Sequence, residues 1–451
     1  MKALKLNDIA CALGANASVD AVVTGVSIDS RTVSPGDLYI AIKGERYDGH
    51  KFINSAVENG AAAVICNKGE GYECPFVKVG DTSQAFLSLA QWYRNLFDIP
   101  VVALTGSVGK TTTKEMIAAV LSAEYNTLKT QGNLNNQIGV PRTIMGIDDN
   151  TKAAVIEMGM DNKGQISQLS RCASPTCAVI TNIGVSHMEN LGSREGILSA
   201  KLEILDGLRD NAPIFLNADD PYLMSAVIEN RPVIYYGIDN SVCNYRAVNI
   251  VPSSTGSEFD INYKGETTHI VLPAIGKHNV YNATAAFAVG VENGVSPEKA
   301  AKGLLNYEPS GMRQRIKTVG GILFIEDCYN ASPDSVRAAI NTLASLDNKR
   351  KIAVLGDMLE LGSVSEDAHR TSGMIAAKKG IDAVITYGER SAATALKAEE
   401  MGVGITQNFL SQKKLASYLS KLLRPGDAVL FKASRGMELE NVIQAVYDKL
   451  S

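Results

Sequence analysis

The sequence predicts an α/β protein of three domains, and three observations predict it. Residues 101–115 read VVALTGSVGKTTTKE, an apolar strand, a glycine-rich turn and a helical pattern in direct succession. Short apolar strands alternate with helical patterns on both sides of residue 310, the signature of open, mostly parallel sheets. At 451 residues the chain also exceeds what one core ordinarily serves, and the length prior is about three domains. The expected units are an N-terminal domain over residues 1–98, a central P-loop-type domain on a parallel sheet over 99–310, and a doubly wound, Rossmann-like C-terminal domain over 311–451.

Composition narrows the partners. A hydrophobic fraction of 45% with 20% charged residues is ordinary for a globular protein. The net charge of -4 gives no basic field for nucleic acid. No apolar run approaches the ~20 residues of a membrane span, and Asn7 and Asp8 interrupt any signal-peptide core. Seven cysteines without C-x-x-C spacing read as reduced thiols of a cytoplasmic protein, not as a disulfide or zinc framework.

In the first domain, residues 37–42 and 61–66 read as strands and 52–59 as a helix. Two polar clusters, Asp29-Ser30-Arg31 and residues 44–50, fall at strand–loop boundaries, where binding residues collect. Plain turn chemistry is the simpler account of both and the one favoured from the residues alone. A helical stretch over 83–97 holds the only Trp, Trp92, whose simplest role is packing.

The central loop can cradle a polyphosphate. Gly106 and Gly109 can take backbone angles closed to other residues, which turns successive N–H groups inward. Lys110 adds a point charge, Thr111 offers a hydroxyl to Mg²⁺, and the following helix presents its positive end. Leu104 stands where the common pattern has its first glycine, so this is the shorter G-x-x-G-K-T form. Further strands are expected at 153–158, 178–182 and 213–217, and ligands on such sheets collect beyond the carboxyl ends of the strands. Glu157 ends one of them, where a buried carboxylate needs a compensating charge, and His187 follows the next. Two amide-rich segments, GNLNNQIGVP over 132–141 and GKHNVYN over 276–282, suit a ribose, base or sugar, or else satisfy their own backbone. Residues 233–272 read as short strands of a small side sheet. In the last domain, strands are expected at 322–325, 352–355, 383–386 and 428–431. Polar residues follow three of these, including Asp327, Asp357 and Lys432, and Arg313 and Arg315 lie just past the domain boundary.

Together TGSVGKTTTKE, GNLNNQIGVP, EMGM, TNIGVSHMENLGSREGILSAK, GKHNVYNATAA, FIEDCYNASPDS, VLGDMLELG and FKASRGMELE closely resemble the Mur ligase family, over essentially the whole chain. The resemblance implies ATP held by Gly106, Ser107, Gly109, Lys110, Thr111 and Thr112, with Asn279, Asn282, Arg313 and Asp327 completing the nucleotide site. It implies two Mg²⁺ ions, Thr111 as a ligand in the loop, and Glu157 and His187 at the second ion. Lys201 matches the lysine that the family carbamylates, which turns a cation into an oxygen ligand. Lys110, Glu157, His187 and Lys201 are thus the expected catalytic set. Ser30, Glu45, Arg46 and Tyr47 resemble the region that grips a UDP end, and Asn135 is placed with the substrate contacts.

Within the family, FIEDCYNASPDS followed by VLGDMLELG favours the member that joins D-alanyl-D-alanine to UDP-N-acetylmuramoyl-tripeptide, and the D-N-P-R motif of the neighbouring ligase is absent. The resemblance implies that ATP activates the tripeptide carboxylate as an acyl phosphate, which the dipeptide amine attacks. It implies a monomer acting on small molecules. A folylpolyglutamate synthase-like ligase and a slow nucleotide switch are the rival readings.

Overall fold

The computed structural model describes residues 1–44, 47–68, 72–348 and 350–450. Among these, the first unit carries a four-stranded parallel sheet in chain order: Gly25–Ser27, Asp37–Ile40, Ala63–Cys66 and Phe76–Lys78. Its middle strands are almost wholly buried, as continuous apolar runs in parallel sheets must be. The helix Thr82–Arg94 leaves this sheet, with the Asp81 carboxylate accepting from the N–H groups of Ser83 and Gln84 at its start. Its buried face joins the N-terminal core to one face of the central sheet, and Trp92 packs half-buried against that continuous cluster.

The central sheet has nine strands. In spatial order Thr127–Lys129, Ala153–Glu157, Val101–Thr105, Cys177–Ile180, Ile214–Asn217, Val233–Gly237 and Tyr245–Pro252 run parallel. Ser257–Tyr263 and Glu266–Leu272 then add antiparallel strands. The region 233–272 is therefore no separate side sheet. It extends the main one, because Val233–Gly237 pairs along the whole of Ile214–Asn217 and Tyr245, Tyr263 and Phe287 pack as one aromatic group beneath it. The helix Lys110–Ser122 covers that face with Lys277–Glu292, whose run of alanines permits close approach.

The C-terminal sheet has six strands: Arg315–Val319 antiparallel to Ile322–Glu326, then Asp427–Lys432, Arg350–Gly356, Ala383–Tyr387 and Ile405–Phe409 in parallel. Helices cover both faces, giving one core on each side. The carboxyl ends of both large sheets carry polar residues that border one cavity.

Candidate active site

The buried strand Val101–Thr105 ends at Gly106, whose φ is 152° and where a Cβ would come 1.9 Å from Thr181 Oγ1. No residue larger than glycine fits this approach. Gly109, at φ 84°, turns the chain into the helix Lys110–Ser122. The end of the next strand clamps the turn between them. Asn182 Oδ1 accepts from Val108 N at 3.0 Å, Asn182 Nδ2 donates to Val108 O at 2.9 Å, and Thr181 Oγ1 donates to the same oxygen at 2.7 Å. Gly184 N donates to Ser107 Oγ at 2.8 Å. The cradle is thus preformed by protein contacts. Lys110 Nζ folds over it, donating to Gly106 O at 2.8 Å and Ser107 O at 3.3 Å. Burial lowers the pKa of this ammonium, opposed by the charge of Glu157.

Glu157 ends its strand buried, with Oε1 accepting from Asn135 Nδ2 at 2.8 Å and its backbone N–H donating to Thr130 Oγ1 at 3.0 Å. Its second oxygen, Oε2, is buried with no hydrogen-bond partner. His187 lies across the cavity in the left-handed conformation, φ 61°, at the start of Met188–Leu191. Its Nδ1 is 3.5 Å from Asp161 Oδ1. Burial, then the positive charges of Lys110 and Lys201, hold the imidazole below its ordinary pKa. Lys201, on the helix Arg194–Leu202, is 2% exposed. Burial, then the nearby Lys110, push its pKa well below the usual lysine value.

The opposite wall comes from the C-terminal domain. Lys432 Nζ donates to Asp327 Oδ2 at 2.7 Å and to Asn330 O at 3.1 Å. The Arg313 guanidinium stacks 3.6 Å over the Tyr329 ring. Asn279 and Asn282 are linked at 3.1 Å beneath the cradle, Thr113 Oγ1 donates to Asn282 Oδ1, and Asn279 bonds Gln314 across the domain boundary. The cavity between the walls holds about 570 Å³, within the range of small-molecule sites.

Ser107, Gly109, Lys110, Thr111, Thr112, Asn135, Glu157, His187, Asn279, Asn282, Arg313 and Asp327 all border this cavity. Gly106 and Lys201 are not among its lining residues; Gly106 supports the loop and Lys201 stands behind the wall. Ser30 and Tyr47 do not border it either: Ser30 is buried in the N-terminal unit, whereas Tyr47 is 75% exposed. Glu45 and Arg46 lie outside the described residues. Around them turn chemistry is plain. Asp29 takes two bonds from the Arg31 side chain, which pulls its pKa down to about 2. Asp48 takes His50 Nδ1 at 2.7 Å, and His50 Nε2 accepts from Asn67 N. Sequence reading passed over Asn182, His278, Gln314 and Lys114. Asn182, just past a strand end, and His278, within the amide-rich stretch 276–282, stood where such residues are sought.

Among the described residues no three His, Cys, Asp or Glu side chains stand together as a cation site. A cation here would draw on mixed donors, namely the Thr111 hydroxyl, Glu157 and ligand phosphates. The unpartnered Glu157 Oε2 fits that donor set.

Family models match three successive stretches: "Mur ligase family, catalytic domain" over residues 22–91, "Mur ligase middle domain" over 104–290 and "Mur ligase, glutamate ligase domain" over 313–435. The UDP-N-acetylmuramoyl-tripeptide--D-alanyl-D-alanine ligase of Bacillus subtilis is 43% identical, over 94% of this chain and 93% of its own. Among solved structures, MurF from Acinetobacter baumannii superposes with a TM-score of 0.92 at 30% identity, covering 99% of both chains. MurF ligase from Thermotoga maritima, in complex with ADP, superposes with a TM-score of 0.86 at 28% identity, covering 95% of this chain and 98% of that one. With the preformed phosphate cradle, the facing cationic wall and these matches along its length, the chain belongs to the Mur ligase family.

Proposed function

We propose that this chain joins D-alanyl-D-alanine to UDP-N-acetylmuramoyl-tripeptide at the expense of ATP, a step of peptidoglycan precursor synthesis. The observation that carries the chemistry is the single cavity with a phosphate cradle on one wall and Lys432 and Arg313 on the other. The named reaction of the Bacillus subtilis relative supports the choice of substrates. ATP would lie with its phosphates on Ser107–Thr112, and the binding of ADP by the Thermotoga maritima relative supports an adenine nucleotide here. Lys110 would leave its own loop carbonyls for the phosphates.

The tripeptide carboxylate takes the γ-phosphoryl group to give an acyl phosphate. The dipeptide amine then attacks the acyl carbon, and phosphate leaves. Such steps need position and charge compensation more than a protein nucleophile. Divalent cations at this site supply screening of the phosphate charge, and Thr111, Glu157 and His187 would hold them. Lys201 makes no hydrogen bond or ion pair among the described residues, so its amine is available to take up CO₂. The resulting carbamate would offer oxygens where the lysine offers none. The C-terminal wall would exclude water from the acyl phosphate. Ser30 and the stretch 45–47 are assigned to the UDP end, in a unit spanning 1–98 beside units 99–310 and 311–451. The enzyme acts as a cytoplasmic monomer, and no helix among the described residues is long and apolar enough to cross a membrane.

The deciding experiment is phosphate release from ATP by the purified chain. Release is expected only when both the tripeptide nucleotide and D-alanyl-D-alanine are present, with a UDP-linked pentapeptide as product. Release that ignores the dipeptide would point to a nucleotide switch instead.

A further inference from the structure

Lys114 lies on the helix Lys110–Ser122, one turn beyond the phosphate cradle, with its side chain 0% exposed. Its Nζ forms a close ion pair with Glu115 Oε1 at 3.0 Å and stands 3.8 Å from Glu157 Oε2, beyond hydrogen-bond reach. Glu157 Oε2 is buried too and has no hydrogen bond among the described residues. The other oxygen of Glu115 is taken by Lys129, which reaches the surface. A line of alternating charge therefore runs inward: Lys129, Glu115, Lys114, Glu157.

Burying an ammonium in this way is costly, and packing does not call for it. Glu115 already has Lys129, so the second lysine is surplus to that acid. What Lys114 adds is a positive charge beside the unpartnered oxygen of Glu157, a residue that borders the cavity. These two lysines and two glutamates sum to zero and Lys110 adds a further positive charge near Glu157, so a dication arriving alone meets no net negative site and a competing ammonium. A polyphosphate on the cradle changes that balance.

We propose that Lys114 is a positioning residue that holds Glu157 in place and withholds it from a divalent cation until nucleotide phosphates arrive, so that cation uptake follows nucleotide binding. The proposal rests on the reading of Glu157 as a cation ligand.

Mn²⁺ binding, followed by electron paramagnetic resonance on the full chain, tests it. Without nucleotide, Lys114→Met is expected to bind Mn²⁺ at least tenfold more tightly than the parent, and Lys114→Arg within about twofold of it. Adding Glu157→Gln to Lys114→Met should remove the gained affinity. With a non-hydrolysable ATP analogue present, the parent and Lys114→Met should converge. Should Lys114→Met not fold, Lys114→Met/Glu115→Gln removes one charge of each sign and is expected to show the same gain. A folded Lys114→Met, or that double variant, with parental Mn²⁺ affinity overturns the proposal alone. If Glu157→Gln leaves Mn²⁺ binding to the analogue complex unchanged, the reading of Glu157 falls and this proposal with it.

Discussion

Lys201 is a buried lysine with no acid paired to it among the described residues, and the fold must have another use for it. Burial that holds a lysine's pKa down favours the amine form, the form that adds CO₂. Lys201→Ala is therefore expected to lose at least a hundredfold in turnover while still binding ATP. Short-chain carboxylic acids should restore part of the rate by lending the missing oxygens. A folded Lys201→Ala that no carboxylic acid rescues would remove the carbamate from the mechanism. His278, on the helix Lys277–Glu292 at the cavity, is also held neutral, with burial lowering its pKa to about 4 against the nearby Asp327. The sign follows from which state binds the proton first. In the unfolded chain the imidazole charges near its ordinary value of about 6.5, well before the folded one does. Its neutral burial is thus accommodated above pH 6.5, and stability is lost as pH falls from there towards 4. The loss should be on the order of 2 kcal/mol, allowing for partial solvent contact. His278→Gln should flatten that part of the unfolding-against-pH curve, and an unchanged curve would show that another group sets it.

At the scale of elements, the helix Thr82–Arg94 shows how the N-terminal unit is fastened. Arg94 is fully buried at its end and donates to Ala173 O, Phe97 O and Ile99 O at 3.1, 2.6 and 3.1 Å. Five donors in a rigid fork suit three carbonyls in three directions. Arg94→Met would leave all three unpaired and should cost about 3 kcal/mol in denaturant unfolding. Arg94→Lys should recover only part. This fastening was not legible in the sequence, because the three carbonyls carry no side-chain signature. The strands Val101–Thr105 and Ala153–Glu157 were legible, since central parallel strands must be apolar throughout. Thr127–Lys129 and Arg315–Val319 were not, being edge strands whose polar residues look like loop. The glycine turn could be read because Gly106 and Gly109 do a job closed to other residues. Asn182, which shapes that turn, could not, because an asparagine after a strand has many other uses. Lys114 carries no sequence signal that sets it apart and is completely buried. Seeing it required knowing that Glu157, 43 residues away in sequence, lies beside it.

Across the whole molecule, the central and C-terminal domains meet through few but specific contacts. Asp334, at the start of the helix Pro333–Ala344, accepts from Val185 N at 3.1 Å, and Arg337 pairs with its other oxygen at 3.0 Å. The bonded N–H belongs to the loop that carries His187, so docking of the third domain and placement of that imidazole are linked. Gly184 makes the approach possible. A Cβ there would meet Asp334 Oδ2 at 2.4 Å and Ser107 Cβ at 3.1 Å. The Asp334 side chain could rotate away from an added methyl group, but only by giving up Val185. A charge-assisted bond of this kind is worth about 1.5–3 kcal/mol, or roughly ten- to a hundredfold in the docking equilibrium. Gly184→Ala should therefore raise the KM for ATP by about tenfold and enlarge the radius of gyration of the nucleotide complex in X-ray scattering. Asp334→Ala alone should do nearly the same, since it removes the same bond. Combined, the two should cost little more than either, because neighbouring sites that share one interaction are not additive. Losses that simply multiply would mean the glycine serves Ser107 and the cradle, and that the third domain docks by other contacts.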